Sequence, residues 1–240
     1  MSKNKLLVIC IGIEVSVIVS IAISTLFQGI RFALFYNIVY GLILSVCIPL
    51  YITNKSKDGL STLGIKKIGT RQLIVLLSFV IFSVGGQIIP RVIAGEPIAW
   101  RLLPICIAPL IMTTFFEELL FRGFIQTRVE KHVGSILAII ISGLMFSLYH
   151  LGYPGFRTAK DLLLLFVVGL GFSIAFKLSN NNLIVAYFVN LPNAFITYLL
   201  KSEQFPPFNG GTTIYAVITV VVITMMMSLA IRKTTFAQPI

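Results

Sequence analysis

Eight apolar runs dominate the sequence, and most are long enough to cross a lipid bilayer as a helix. They cover approximately residues 6–27, 32–53, 72–90, 104–126, 135–151, 162–178, 183–200 and 214–231. A helix needs about 20 apolar residues to span the roughly 30 Å hydrocarbon layer. Lipid offers the backbone no hydrogen bonds, so spanning segments are helices or closed barrels. We therefore predict an all-α polytopic membrane protein with about eight transmembrane helices.

The composition supports a membrane location and excludes other classes. The chain is 57% hydrophobic and 11% charged, whereas a soluble domain is roughly half apolar and about a quarter charged. The net charge of +11 does not predict nucleic-acid binding, because the basic residues lie mostly beside apolar runs, as membrane-flanking Lys and Arg do. The three cysteines, Cys10, Cys47 and Cys106, lie within apolar runs and do not have the spacing of a disulfide framework or a zinc knuckle.

The distribution of Lys and Arg predicts the orientation in the membrane. With the N-terminus inside, twelve basic residues fall on the cytoplasmic side and six on the other, while Arg122 lies within a span. This excess predicts a multi-pass protein of the cell membrane with both termini in the cytoplasm.

Polar and Gly/Pro-containing connections separate the runs, among them Arg128–Gly134 and Lys201–Thr213, and none is long enough to fold as a water-soluble module. We divide the chain into three parts. Residues 1–100 hold about three N-terminal spans, residues 101–200 hold a four-helix core, and residues 201–240 hold the last loop and a C-terminal span.

Three ionisable residues in the fourth span are predicted to be functional. An ionised side chain in hydrocarbon costs several kcal/mol, and such residues are usually retained for a role. Glu118 and Arg122 are four residues apart on a helix, so they share a face and can pair. Glu117 lies about 100° further round and lacks that partner, which makes it the stronger base of the two acids. A buried ion network that locks helices together is the alternative.

Later spans contribute an imidazole and two amides. His150 closes the fifth span, and Asn190 and Asn193 flank Pro192 in the seventh. We expect these side chains to line one polar chamber with Glu117, although amides are also common in contacts between helices. Glu14 is a lone acid in the first span. It can line the same chamber, face water, or lie protonated between helices.

These residues resemble the CAAX-protease and bacteriocin-processing (Abi) family of intramembrane proteases. Glu117, Glu118 and Arg122 match its Glu-Glu-x-x-x-Arg motif, and Phe146 with His150 matches its Phe-x-x-x-His motif. The resemblance covers roughly residues 100–200 and implies that the four-helix core of residues 101–200 is a catalytic, protease-like core.

The third motif of the family, His-x-x-x-Asn, is degenerate in this chain. Asn190 stands in the histidine position and Ala194 in the asparagine position, with Asn193 one residue early. The family's second histidine is therefore missing, so this chain offers a zinc ion one membrane histidine where such sites want three strong ligands.

The resemblance implies an intramembrane protease of either the glutamate-dependent or the metal-dependent type. The missing histidine favours the glutamate-dependent scheme, and no cofactor is favoured. Glu117 would activate water, His150 with Asn190 or Asn193 would stabilise the oxyanion, and Glu118 with Arg122 would orient the site. The alternative is a zinc site formed by Glu117, Glu118 and His150.

The predicted function is that of a membrane-embedded endopeptidase. Its expected substrates are membrane-associated or exported peptides, such as bacteriocin or signalling-peptide precursors, in preference to a prenylated C-terminus, and self-immunity to a peptide toxin is the implied role. The alternative function is that of a catalytically inactive immunity or scaffold protein. The expected partners are a peptide or membrane-protein substrate and the lipid bilayer, without nucleic acid.

Overall fold

The structure, a computed structural model, describes residues 2–56, 59–200 and 208–236. The described residues form helices and short helical turns, without strands. Eight long helical segments follow one another along the chain: α1 Lys3–Ser24, α2 Gly29–Lys55, α3 Thr70–Ile93, α4 Trp100–Val133, α5 Ser135–Gly152, α6 Ala159–Leu178, α7 Leu183–Leu200 and α8 Gly210–Phe236. The predicted all-α membrane fold is confirmed.

Seven of these helices, α1 to α7, are long and apolar enough to cross a membrane, judged over the described residues. In α8, the apolar stretch Gly210–Met225 is shorter than a full span. The connection predicted at residues 201–213 lies largely outside the described residues.

Helix α4 occupies the centre of the bundle, in contact with α1, α2, α5, α6, α7 and α8. Its middle turn, Glu118–Gln126, is buried throughout. Phe116, Leu120 and Phe124 have no exposed surface, and this packing fixes the position of the acidic pair between them. A helix that is apolar on all sides packs against neighbours all round.

The fourth helix is longer than the sequence predicted, and the predicted connection Arg128–Gly134 is wrong. The helix continues to Val133, and Gly134, with φ of 80°, makes the turn. The Arg128 guanidinium is buried. Its Nη2 donates to Thr53 Oγ1 over 2.6 Å, and its Cζ lies 4.3 Å from the ring centre of Phe124. These contacts satisfy a charged residue that hydropathy alone assigns to a loop.

The middle of α4 is not regular α-helix. The backbone is α-helical over Leu103–Glu117 and π-helical over Glu118–Gln126. The hydrogen bonds of a π-helix run from residue i to i+5, so the turn is wider and successive side chains diverge by less than the roughly 100° of an α-helix. This change in pitch begins at the Glu117–Glu118 peptide.

Small residues bring α5 and α6 together. A Cβ atom built on Gly169 would lie 2.9 Å from the carbonyl oxygen of Gly143 and 2.9 Å from a ring carbon of Phe146. Close backbone approach at glycine is a common way for helices to pack in lipid. It also leaves the Gly169 carbonyl open to a side chain of α4.

The turn between α6 and α7 follows from three asparagines. Asn180 and Asn181 adopt positive φ angles of 62° and 54°, which asparagine tolerates better than most residues. Asn182 Oδ1 accepts from Ile184 N over 3.0 Å and so caps the start of α7. This cap sets the rotation of α7 and the face on which Asn190 lies.

Candidate active site

The acidic pair of α4 lies at the centre of a hydrogen-bonded cluster. The Asn190 amide nitrogen donates to Glu117 Oε2 over 2.9 Å and to Glu118 Oε1 over 2.8 Å. One amide from α7 therefore bridges both carboxylates. The donor that the two acids share is this amide and not the Arg122 guanidinium, which pairs with Glu118.

Arg122 pairs with Glu118 as predicted. Arg122 Nη1 lies 3.4 Å from Glu118 Oε1, and both side chains are fully buried. Arg122 Nη2 also donates to the Gly169 carbonyl over 3.0 Å. Its guanidinium carbon lies 4.5 Å from the ring centre of Phe146, the phenylalanine of the Phe-x-x-x-His motif. These contacts hold the cation against α5 and α6.

The cluster contains two carboxylates and one guanidinium. When all three are ionised, its net charge is −1. A buried charge is tolerated only when hydrogen bonds compensate for lost hydration. Asn190 and Tyr149 supply neutral donors for this purpose.

Tyr149 is a site residue that the sequence analysis did not identify. Its hydroxyl donates to Glu117 Oε1, on the oxygen opposite the one that Asn190 contacts. A signal was available in the sequence. Tyr149 directly precedes His150 and follows Phe146 by three residues, so it shares a helix face with the motif phenylalanine.

The His150 ring contacts Tyr149, and Tyr149 in turn contacts Glu117 of the acidic pair. The centres of the two rings are 4.1 Å apart, and His150 Nδ1 lies 2.8 Å from the Phe146 carbonyl oxygen. A carbonyl requires a donor, so Nδ1 carries the proton and Nε2 is the acceptor of the neutral ring. The side chain is 8% exposed, the same fraction as Glu117.

Asn193 lies apart from this cluster. Its Oδ1 accepts from Ser83 Oγ over 2.7 Å and from Gln87 Nε2 over 2.8 Å, both on α3. Thr197 Oγ1 donates to Gln87 Oε1 over 2.9 Å, which is a third hydrogen bond between α3 and α7. The structure therefore brings together Glu117, Glu118, Arg122, His150 and Asn190, and it places Asn193 between α3 and α7.

Glu14 is buried in α1, with 6% of its surface exposed. Neither carboxylate oxygen has a hydrogen-bond partner among the described residues. Of the three alternatives for this acid, the one that faces water is excluded.

The donor set does not fit a zinc ion. Over the described part of the chain, no three His, Cys, Asp or Glu side chains form a group that could hold a metal. The facing oxygens of Glu117 and Glu118 accept hydrogen bonds from Asn190, and an amide is a poor zinc ligand.

A cavity of about 400 Å³ lies beside the cluster, between α4, α7 and α8. Its walls are apolar over most of their area and include Phe115, Leu183, Tyr187 and Ile223, while Glu118 belongs to the same wall. This volume is in the range of about 300–1,000 Å³ that is typical of ligand sites.

The fold and the site define a polytopic membrane protein with a buried carboxylate–arginine–histidine centre. Residues 99–196, which run from the start of α4 into α7, match the model of a family described as type II CAAX prenyl endopeptidase Rce1-like. The resemblance inferred from the two motifs is confirmed, and the match supports a membrane CAAX-type endopeptidase. Comparisons with curated proteins and with solved structures give no match.

Proposed function

We propose that the protein is an intramembrane endopeptidase in which Glu117 activates the attacking water. The observation that carries this proposal is the carboxylate of Glu117, held between a phenol of α5 and an amide of α7. A general base must be fixed in direction and still be within reach of water. Glu117 keeps 8% of its surface exposed, whereas Glu118 keeps 1% and is bound to Arg122.

The proposed reaction is hydrolysis through a tetrahedral intermediate. Glu117 accepts a proton from water as the water oxygen bonds to the peptide carbonyl carbon. The carbonyl oxygen gains the negative charge, and Glu117 then delivers its proton to the leaving nitrogen as the C–N bond breaks. The products are one carboxyl group and one amine, so the step needs no further reactant.

The other site residues have supporting roles in this proposal. His150 in its protonated form donates from Nε2 to the developing oxyanion, while its Nδ1–H stays on the Phe146 carbonyl. It takes this role because both amide hydrogens of Asn190 are donated to carboxylates and Asn193 lies against α3. Asn190, Glu118 and Arg122 hold Glu117 in place. Preorganised donors of this kind provide a large part of catalysis in acyl transfer.

The substrate in this proposal is a membrane-associated or exported peptide with a bulky apolar group near the scissile bond. The apolar cavity supports this choice, since its wall contains the carboxylate that shares Asn190 with Glu117. Bacteriocin or signalling-peptide precursors have this character. In the cell membrane, with both termini cytoplasmic, the protein would meet such peptides within the bilayer.

The test uses purified protein in lipid nanodiscs with quenched fluorescent peptides. One series carries Leu or Phe next to the scissile bond, a second carries Asp or Asn, and a third is a prenylated C-terminal peptide. We expect cleavage of the apolar series, unchanged by a zinc chelator. Loss of cleavage on chelation contradicts the metal-independent scheme.

An inactive immunity or scaffold protein is the second candidate, and one observation favours it. Asn190 occupies the position of the family's second histidine and donates both hydrogens to the acids, so it offers the substrate no N–H. Peptide binding without cleavage of any series, by a well-folded protein, would support this candidate.

A further inference from the structure

Glu117 is clamped by donors from two helices on its two separate oxygens. Tyr149 of α5 occupies Oε1 and Asn190 of α7 occupies Oε2. A single donor leaves a carboxylate free to turn about its last bond, whereas two donors on opposite oxygens fix its plane. A carboxylate has about four acceptor positions, so lone pairs remain for a water molecule.

Packing fixes the direction of the Tyr149 hydroxyl. The ring is 1% exposed and lies between Phe121, at a centroid distance of 5.1 Å, and Tyr40, at 6.0 Å. Phe146 meets it edge-on at 5.6 Å. A ring enclosed on these sides keeps one rotamer, so the phenol oxygen keeps its place beside Glu117.

The same aromatic cluster contains a pair of hydroxyls that bond to each other. Tyr36 and Tyr153 share a hydrogen bond of 2.6 Å between their hydroxyl oxygens. Tyr36 is buried and its ring lies 4.9 Å from that of Tyr40. Tyr36 therefore offers a buried hydroxyl of the same cluster with which Tyr149, the donor to Glu117, can be compared.

We propose that Tyr149 is a positioning residue for catalysis, which fixes the orientation of the Glu117 carboxylate for water activation. This inference rests on the proposed function. The third motif of this chain offers an amide in place of a histidine, and that amide is shared between two acids. The phenol of α5 is the donor that acts on Glu117 and not on Glu118, so it distinguishes the base from its neighbour.

The test compares Tyr149→Phe with Tyr36→Phe, which removes one buried hydroxyl from the same cluster. For Tyr149→Phe we expect kcat to fall about 10–100-fold with KM nearly unchanged, as for a misplaced catalytic group. Tyr36→Phe keeps the kcat of the parent protein. Infrared difference spectra supply a readout independent of turnover: the carboxylate band that disappears in Glu117→Gln shifts in Tyr149→Phe and stays in place in Tyr36→Phe.

The outcomes separate this inference from the proposed function. If Glu117→Gln is inactive while Tyr149→Phe keeps the parent kcat and an unshifted band, the role of Tyr149 is wrong and the function stands. If Glu117→Gln still cleaves, both proposals fail together. If Tyr149→Phe does not accumulate, 3,5-difluorotyrosine at position 149 keeps the ring and makes the phenol a stronger donor, and an unmoved Glu117 band then overturns the inference.

Discussion

At the scale of single residues, burial determines the behaviour of the site. Arg122 has no exposed surface, and its charge is compensated by Glu118, by the Gly169 carbonyl and by the ring of Phe146. A planar guanidinium can serve all three at once, because it offers donors in its plane and a face for stacking. Arg122 of α4 therefore connects this helix to α5 and α6.

Replacement of Arg122 by Met should strongly destabilise the protein. Removal of one partner of a buried ion pair costs about 3–5 kcal/mol, because the remaining charge is left without compensation. The measurement is the thermal unfolding midpoint in detergent. The control is Arg101→Met, at an exposed residue, which should change stability by no more than about 0.5 kcal/mol. Equal midpoints for the two variants would contradict the central role of Arg122.

Sequence reasoning identified most residues of the cluster, since charges in an apolar span are visible without a structure. It identified Glu117, Glu118, Arg122, His150 and Asn190, and it paired Glu118 with Arg122. It missed Tyr149, because a tyrosine in a membrane helix is ordinary until its hydroxyl is seen to meet an acid. It grouped Asn193 with Asn190 because residues three apart share a helix face, yet the two amides reach different neighbours.

At the scale of helices, the two asparagines of α7 contact different neighbouring helices. Asn190 faces α4 and bridges the acids, while Asn193 faces α3 and accepts from Ser83 and Gln87. None of the residues of α3 is buried in the bundle, so polar contacts matter for its attachment. Interhelical hydrogen bonds in membranes contribute about 0.6 kcal/mol on average and up to about 1.7.

The pair Asn193→Ala and Asn190→Ala tests this division. We expect Asn193→Ala to lower the free energy of unfolding by about 1–2 kcal/mol, since two donors on α3 lose their acceptor. Asn190→Ala should instead reduce kcat, because Glu117 loses one of its two donors. Unfolding in graded denaturant and peptide cleavage measure the two effects. A larger loss of kcat in Asn193→Ala than in Asn190→Ala would reverse the assignment.

The close approach of α5 and α6 can be tested at two glycines of one helix. A methyl group on Gly169 would meet Gly143 and Phe146 at 2.9 Å, whereas one on Gly171 would meet nothing within 4 Å. Gly169→Ala should therefore cost about 1–3 kcal/mol through overpacking. Gly171→Ala should be neutral or slightly stabilising, because alanine favours helix. Similar thermal midpoints in the two variants would show that the helices are not in contact there.

At the scale of the whole molecule, hydropathy predicted the number and order of the long helices because lipid leaves few alternatives. It could not predict the π-helical turn at Glu118 or the extension of α4 to Val133. The first depends on how six neighbouring helices pack round α4, and the second on the buried contacts of Arg128. Tertiary contacts of this kind carry no periodic signal in the sequence.

The predicted orientation follows from the excess of basic residues on one side of the membrane. In a variant without native cysteines, we expect a cysteine at Ser2 to react with an impermeant maleimide only after the cells are opened. A cysteine at Gly155, in the connection between α5 and α6, should react in intact cells. The reverse pattern would place both termini outside.

The central claim is that Glu117, held by Tyr149 and Asn190, activates water within the membrane. The most direct test is the single-turnover rate of peptide cleavage by the purified protein and by two Glu-to-Gln variants. Glu117→Gln is nearly isosteric and removes the base, so the rate should fall by at least about 100-fold, the lower range of general-base effects. Glu96→Gln, at an exposed acid paired with Arg91, should cleave at the parent rate. Cleavage by Glu117→Gln at the rate of Glu96→Gln would contradict the account.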